Sequence, residues 1–162
     1  MNKKQQIQVV AAIIFNQNGE ILLSTRPDNK IFAGFWEFAG GKVENGETQF
    51  TALQRELAEE IGIHITAAQY WQTLTVEREN ATIQVNFWRV ENEQWQGELQ
   101  ARENQQLAWQ NPKNITVSPI LPSNQPILEA LKSVSSEQWE VSSCFVKPYG
   151  LTNNLDNASI IF

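Results

Sequence analysis

Residues 41–63, GKVENGETQFTALQRELAEEIGI, constrain this chain more than any other stretch. At about 100° per residue of an α-helix, Phe50, Leu53, Leu57 and Ile61 fall on one face suited to a core. Glu56, Glu59 and Glu60 fall on an adjoining arc of the same helix. Residues three and four apart are neighbours there, and each like-charge pair costs roughly 0.2–0.5 kcal/mol. A hard divalent cation with oxygen ligands is the natural way to offset that repulsion. Taken alone, an E-x-x-E-E cluster is most often a solvated acidic face. The wider pattern argues against that here. Gly41, Glu47, Arg55-Glu56-Leu57, Glu59-Glu60 and Gly62-Ile63 stand at the spacing G-x5-E-x7-R-E-U-x-E-E-x-G-U, with U apolar.

The flanking segments read mainly as strands. Residues 7–15 (IQVVAAIIF) form a nearly continuous apolar run rich in β-branched residues, the signature of a buried strand. Asn18-Gly19 is a hairpin signal, with residues 20–25 (EILLST) as the returning strand. Arg26 ends that strand, and its planar fork suits phosphate oxygens. The paired Gly40-Gly41 lets the backbone approach a ligand closely, and Lys42 follows as a phosphate contact. Thr48 is the expected N-cap of the helix and Gly62 its terminating glycine. Residues 70–77 and 82–90 alternate as two antiparallel strands. Phe87 and Trp88 then point to opposite faces, one toward the core and the other placed to stack on a base. Residues 95–102 read as a loop or short strand, 107–109 as a short strand and 122–126 as a turn. Residues 127–134 read as a helix with Ile127, Leu128 and Leu131 inward. Trp139, Val141, Phe145 and Val146 suggest a further strand, and Ile160-Ile161-Phe162 another. The expected organisation is one domain over residues 1–135 and a C-terminal extension over 136–162.

Composition narrows the chemistry. A net charge of −6 is the wrong sign for a nucleic-acid footprint. It also means that a polyanionic substrate approaches only through metal ions or a local basic patch. No apolar run nears the ~18 residues of a membrane span, no leader is evident, and the single Cys144 fits a reducing cytoplasm. With His64 as the only histidine, neither a Ser-His-Asp triad nor a Cys-His pair is expected.

The 41–63 pattern matches the Nudix box at every defined position, and the chain resembles the MutT-type Nudix hydrolases from about residue 6 to 131. Further carriers of the resemblance are Thr25-Arg26, Trp36-Glu37-Phe38, Gly40-Gly41-Lys42, residues 98–103 and Pro122-x-Asn124-x-Pro126. The resemblance implies an α/β (α+β) Nudix fold, an α/β/α sandwich around a mixed β-sheet. It implies hydrolysis of a nucleoside triphosphate to the monophosphate and pyrophosphate with Mg²⁺, Mn²⁺ being the alternative ion. The implied metal ligands are the Gly40 carbonyl, Glu56 and Glu60, with Glu59 in support and Glu103 completing the site from a later loop as general base. Arg55 and Glu47 are expected to orient the box carboxylates. Arg26 and Lys42 are expected on the phosphate side, Phe38 near the base, and Asn124 reading an oxidised purine. The implied substrate is 8-oxo-dGTP, with nucleotide-pool sanitation as the role. No nucleic-acid or membrane partner is expected, and the assembly is a monomer or weak homodimer.

One departure from the MutT pattern, in the turn before the paired glycines, bears on the substrate; the other is the extension over residues 136–162, which the compact family domain does not require. Ala39 stands where many MutT relatives have Pro, and Leu99-Gln100-Ala101-Arg102-Glu103 also resembles the subgroup that hydrolyses CTP and modified pyrimidine nucleotides. Asn124 favours the oxidised guanine nucleotide, because the pyrimidine relatives tend to carry Asp there. An RNA 5′-pyrophosphohydrolase or a non-catalytic Nudix-like module shares the architecture. The acidic charge argues against the first and the intact box against the second.

Overall fold

The computed structural model describes residues 3–133, so the strands expected within 139–146 and 160–162 lie outside the described residues. β1 (Gln5–Ile14) runs through the middle of a mixed sheet. It pairs in parallel with β7 (Ala81–Val90) along its whole length, and antiparallel with β4 (Gly40–Lys42) on its other edge. β6 (Gln69–Glu77) pairs antiparallel with β7 and closes the order β4-β1-β7-β6. A second sheet has β2 (Ile21–Thr25) at its centre, with β3 (Trp36–Glu37) and β9 (Leu107–Gln110) antiparallel to it. β5 (His64–Ile65) and β8 (Trp95–Gln96) form a two-stranded ladder.

The apolar run of β1 is explained by its burial on both faces. Val9, Ala11 and Ile13 join Val85 and Phe87 on one face, against α2 (Gln125–Ser133) and the second sheet. Val10, Ala12 and Ile14 face the other way, toward α1 (Gln49–Ile61). The two helices therefore cover opposite faces of the mixed sheet. This is the α/β/α sandwich around a mixed sheet that the resemblance implied.

The structure departs from the sequence reading in four places. The Asn18-Gly19 turn forms, but β1 and β2 share only the single bridge Phe15↔Ile21. β2 turns away into the second sheet, where it pairs with β3 and β9, while β4 takes Val9–Ala11 on that edge of β1. Phe50 is half-buried at the rim, and Ala52 takes its place beside Leu53, Leu57 and Ile61. α2 starts at Gln125, directly after a 3₁₀ turn at Pro122–Asn124, so Pro126 sits in its first turn where a missing N–H costs nothing. Trp88 lies on the α1 side of the sheet, its indole Nε1 donating to Gln49 Oε1 at 2.9 Å. Phe38 meets Phe87 edge-on across the opposite face, with ring centroids 6.0 Å apart. Trp88 is thus on the wrong side to stack on a base held near Phe38.

Candidate active site

The box helix is secured at both ends by local chemistry. The Thr48 hydroxyl accepts the Thr51 N–H at 3.1 Å, satisfying a first-turn donor. Gly62 closes the helix at φ 72°, in the left-handed region that glycine enters without strain.

Between these ends Arg55 is the hub. Its Nε and Nη2 grip Glu47 in a bidentate pair at 2.9 and 2.8 Å. Nη2 also donates to the Lys42 carbonyl at 3.0 Å, while Nη1 reaches Glu56 at 2.9 Å and Glu59 at 3.4 Å. Hydrogen bonds from Arg55, first among the causes, hold the Glu47 carboxyl down at about 2. Arg55 therefore ties the glycine-rich turn, the loop before the helix and the acidic face into one unit. Lys42 is exposed, and its carbonyl serves this unit. Lysine is a point charge and cannot span four partners. Arg55→Lys should accordingly lower turnover by about 10–100-fold, read from kcat beside the wild type.

Glu60 takes a different environment. Its carboxylate accepts the Gly40 N–H at 3.3 Å. Burial, reinforced by the charges of Glu56, Glu103 and Glu37, pushes its pKa up to about 9. A carboxyl in that position needs either a proton or a cation. Glu56 is mostly covered and held by Arg55, whereas Glu59 is well exposed. Glu103 approaches from the loop between β8 and β9.

Glu37 belongs to this cluster and was not among the expected site residues. Its burial raises its pKa, and Arg26 pulls it back. The sequence signal was a single acidic residue between Trp36 and Phe38 in an otherwise apolar strand. Arg26, expected at the phosphates, is only 1% exposed. Its Nη1 pairs with Glu37 at 2.8 Å and its Nε donates to the Ile31 carbonyl at 2.8 Å. Its charge is thus matched inside the protein. Both Arg26 and Glu103 border a cavity of about 690 Å³, together with Thr25, Lys30, Trp36 and Gln106. Lys30 is the cation there that sequence reasoning missed, and its field also reaches Glu37 and Glu60.

Asn124 is buried at the start of α2, and its Oδ1 accepts the Phe38 N–H at 3.0 Å. Its Nδ2 donates to Ser123 Oγ at 3.2 Å. The bond to Phe38 joins the β3–β4 connection, which leads on to Gly40, to the far end of the domain.

The NUDIX domain family model matches residues 5–131. The chain belongs to the Nudix family. It is 43% identical over 130 residues to the CTP pyrophosphohydrolase of Escherichia coli K12, covering 80% of this chain and 94% of the relative. It is 34% identical over 128 residues to the 8-oxo-dGTP diphosphatase of the same organism, covering 79% and 98%. A solved MutT structure, from work on the Aliivibrio salmonicida and Vibrio cholerae proteins, superposes with a TM-score of 0.65 at 36% identity, covering 79% and 98%. The protein is therefore a Nudix hydrolase acting on nucleotide phosphoanhydride bonds.

Nudix hydrolases generally use a divalent metal, and the donors present fit one. Glu56, Glu103 and Glu37 lie close enough for their charges to raise the carboxyl of Glu60. Among the described residues no three His, Cys, Asp or Glu side chains already form a cage. An open carboxylate set of this kind suits Mg²⁺, which binds through one or two carboxylates and completes its shell with water and substrate phosphate oxygens.

Proposed function

We propose that this Nudix protein is a Mg²⁺-dependent nucleoside triphosphate pyrophosphohydrolase that converts 8-oxo-dGTP to 8-oxo-dGMP and pyrophosphate. The observation that carries the base assignment is the fixed orientation of Asn124. Because the Phe38 N–H must meet an acceptor, the amide oxygen faces Phe38. One proton of Nδ2 is used by Ser123, which leaves the other for a ligand, and the oxygen keeps a second lone pair. A donor and an acceptor side by side complement O6 and N7–H of 8-oxoguanine. Unmodified guanine presents acceptors at both positions.

When bound, divalent cations neutralise phosphate oxygens and acidify the attacking water. Glu56, Glu60 and the Gly40 carbonyl would hold the ions, with Glu59 in support. Arg55 keeps Glu56 aimed by its 2.9 Å bond. Glu103 accepts the proton of water as the new bond to the β-phosphorus forms. The bond from that phosphorus to the bridging oxygen breaks, and the electron pair leaves with the nucleoside monophosphate. Lys42 and Lys30 supply positive charge to the phosphates, and Arg26 acts through Glu37. In the cytoplasm the consequence would be removal of an oxidised precursor from the nucleotide pool.

A second reading has its own support. The relative at 43% identity is a CTP pyrophosphohydrolase, and Ala39 stands in the turn where many MutT relatives have Pro. The deciding experiment is kcat/KM with Mg²⁺ on 8-oxo-dGTP, dGTP, CTP and 5-methyl-dCTP, with products identified. A strong preference for 8-oxo-dGTP over dGTP, with pyrophosphate released, is expected. Preference for the cytidine nucleotides would overturn the base assignment and leave the metal site untouched. Asn124→Asp sharpens the test, because Asp still accepts from Phe38 but has no donor for O6. The variant should lose about 10–100-fold in kcat/KM on 8-oxo-dGTP, the range expected for an unsatisfied polar group. Cytidine nucleotides, whose exocyclic amino group needs only an acceptor, should lose less.

A further inference from the structure

The C-terminal end of α1 leaves carbonyl groups without helical partners. Residues 100–105 take them up. The Gln100 N–H donates to the Ile61 carbonyl at 2.9 Å, and the Arg102 N–H to the Glu60 carbonyl at 3.1 Å. The Arg102 Nη1 adds a second donor, at 2.8 Å, to the Ala58 carbonyl, which already accepts the closing Gly62 N–H at 3.2 Å. Gln105 does something further. It is only 8% exposed, and both polar ends of its side chain are in use. Nε2 donates to the Glu60 carbonyl at 2.9 Å, while Oε1 accepts the Glu103 N–H at 2.8 Å. Asn104, between Glu103 and Gln105, has φ 59°, a left-handed conformation that Asn tolerates better than most residues. That turn folds the Gln105 side chain back beneath Glu103. The far side of the loop is fixed to β2, the Gln106 N–H donating to Thr25 Oγ1 at 2.9 Å and the Thr25 N–H to the Gln106 carbonyl at 3.0 Å.

We propose that Gln105 is a positioning residue that fixes the loop carboxylate Glu103 to the helix carrying Glu56 and Glu60. The proposal rests on the reading of Glu103 as a metal-side base. The side chain has the chemistry for this role, because an amide both donates and accepts. A carboxylate of the same length could not donate to Glu60, and an apolar side chain could do neither. Glu103 itself is exposed, so its main chain supplies much of what holds it in place. A displacement of about 1 Å in such a group is enough to cost on the order of 100-fold in rate.

The test is a double-mutant cycle on the nucleotide that the wild-type protein turns over best. Kinetics and melting temperature are measured for Gln105→Ala, Gln105→Met, Glu103→Gln and the double variant Glu103→Gln/Gln105→Ala. Gln105→Met retains most of the buried volume, so it reports even if the Ala variant fails to fold. Both Gln105 variants should lose about 10–100-fold in kcat, the usual cost of removing a group that orients a ligand, with KM for the nucleotide nearly unchanged. In the Glu103→Gln background, Gln105→Ala should cause no further loss of kcat. Independent, additive losses would overturn the proposal, as would full kcat in both Gln105 variants beside an impaired Glu103→Gln. Full activity in Glu103→Gln would overturn the reading of Glu103 itself, and the proposal with it.

Discussion

Glu60→Gln is expected to lower kcat by at least about 100-fold, since even groups that only orient a metal ligand cost 10–100-fold. It should also make the metal-free protein more resistant to alkaline pH. Both effects come from one cause. Burial and the fields of Glu56, Glu103 and Glu37 push the Glu60 carboxyl up to about 9 in the folded protein. Its unfolded value is about 4.3. Over the interval between these values the folded state keeps a proton that the unfolded state releases, so stability falls as pH rises through it. The stabilising contribution is complete below the unfolded value and lost as pH passes about 9. Glutamine has no proton to lose, so the melting temperature of the variant should fall less between pH 5 and pH 9 than that of the wild type. Added Mg²⁺ should raise the wild-type melting temperature more at pH 8 than at pH 5, where protons compete for the same oxygens. It should raise that of Glu60→Gln much less. A variant with full activity and an unchanged pH profile would remove Glu60 from the metal site.

The box helix was legible because its information is local. Apolar period, cap residue, terminating glycine and acidic face all lie within residues 41–63, and the structure keeps them together. What the sequence hid depends on contacts between distant segments. Alternation in residues 82–90 placed Phe87 and Trp88 on opposite faces but did not say which face α1 covers. An Arg at the end of a strand reads as exposed, and only the return of β3 beside β2 reveals that Glu37 neutralises Arg26. The hairpin signal at Asn18-Gly19 correctly gave a turn. It overstated the pairing, because a turn does not report which strands will claim the edges of β1. Asn124 was singled out by resemblance, yet its bond to Phe38 spans 86 residues and has no local signature. Gln105 carried no signal at all, since a glutamine in a polar loop is the least informative of residues until its two partners are seen.

Gly40→Ala should be the most damaging small substitution in the turn, and Gly41→Ala should separate folding from function. A Cβ on Gly40 would sit 1.9 Å from the Val10 carbonyl oxygen and 2.8 Å from Ala11 Cα. Both are backbone atoms of β1, the central strand, and β4 is paired to them antiparallel. No rotamer change relieves the clash, so β4 must move away from β1. Overpacking a core typically costs about 1–3 kcal/mol, and a backbone clash this close belongs at or above the upper end. The Gly40 N–H would leave Glu60 in the same movement. Thermal melts should therefore show a large loss of stability, and activity should disappear with it. At Gly41 the obstructing atoms are the Glu56 carboxyl group, 2.4–2.6 Å from the added Cβ. That is the end of a flexible side chain, which swings aside at little cost to the fold but carries a carboxylate of the proposed metal site away from Arg55. Gly41→Ala should consequently melt near the wild-type temperature while losing most of its turnover and needing more Mg²⁺. Equal melting temperatures for the two variants would show that β4 yields more easily than its pairing implies. Full activity in Gly41→Ala would show that the Glu56 position seen here is not the one used in hydrolysis.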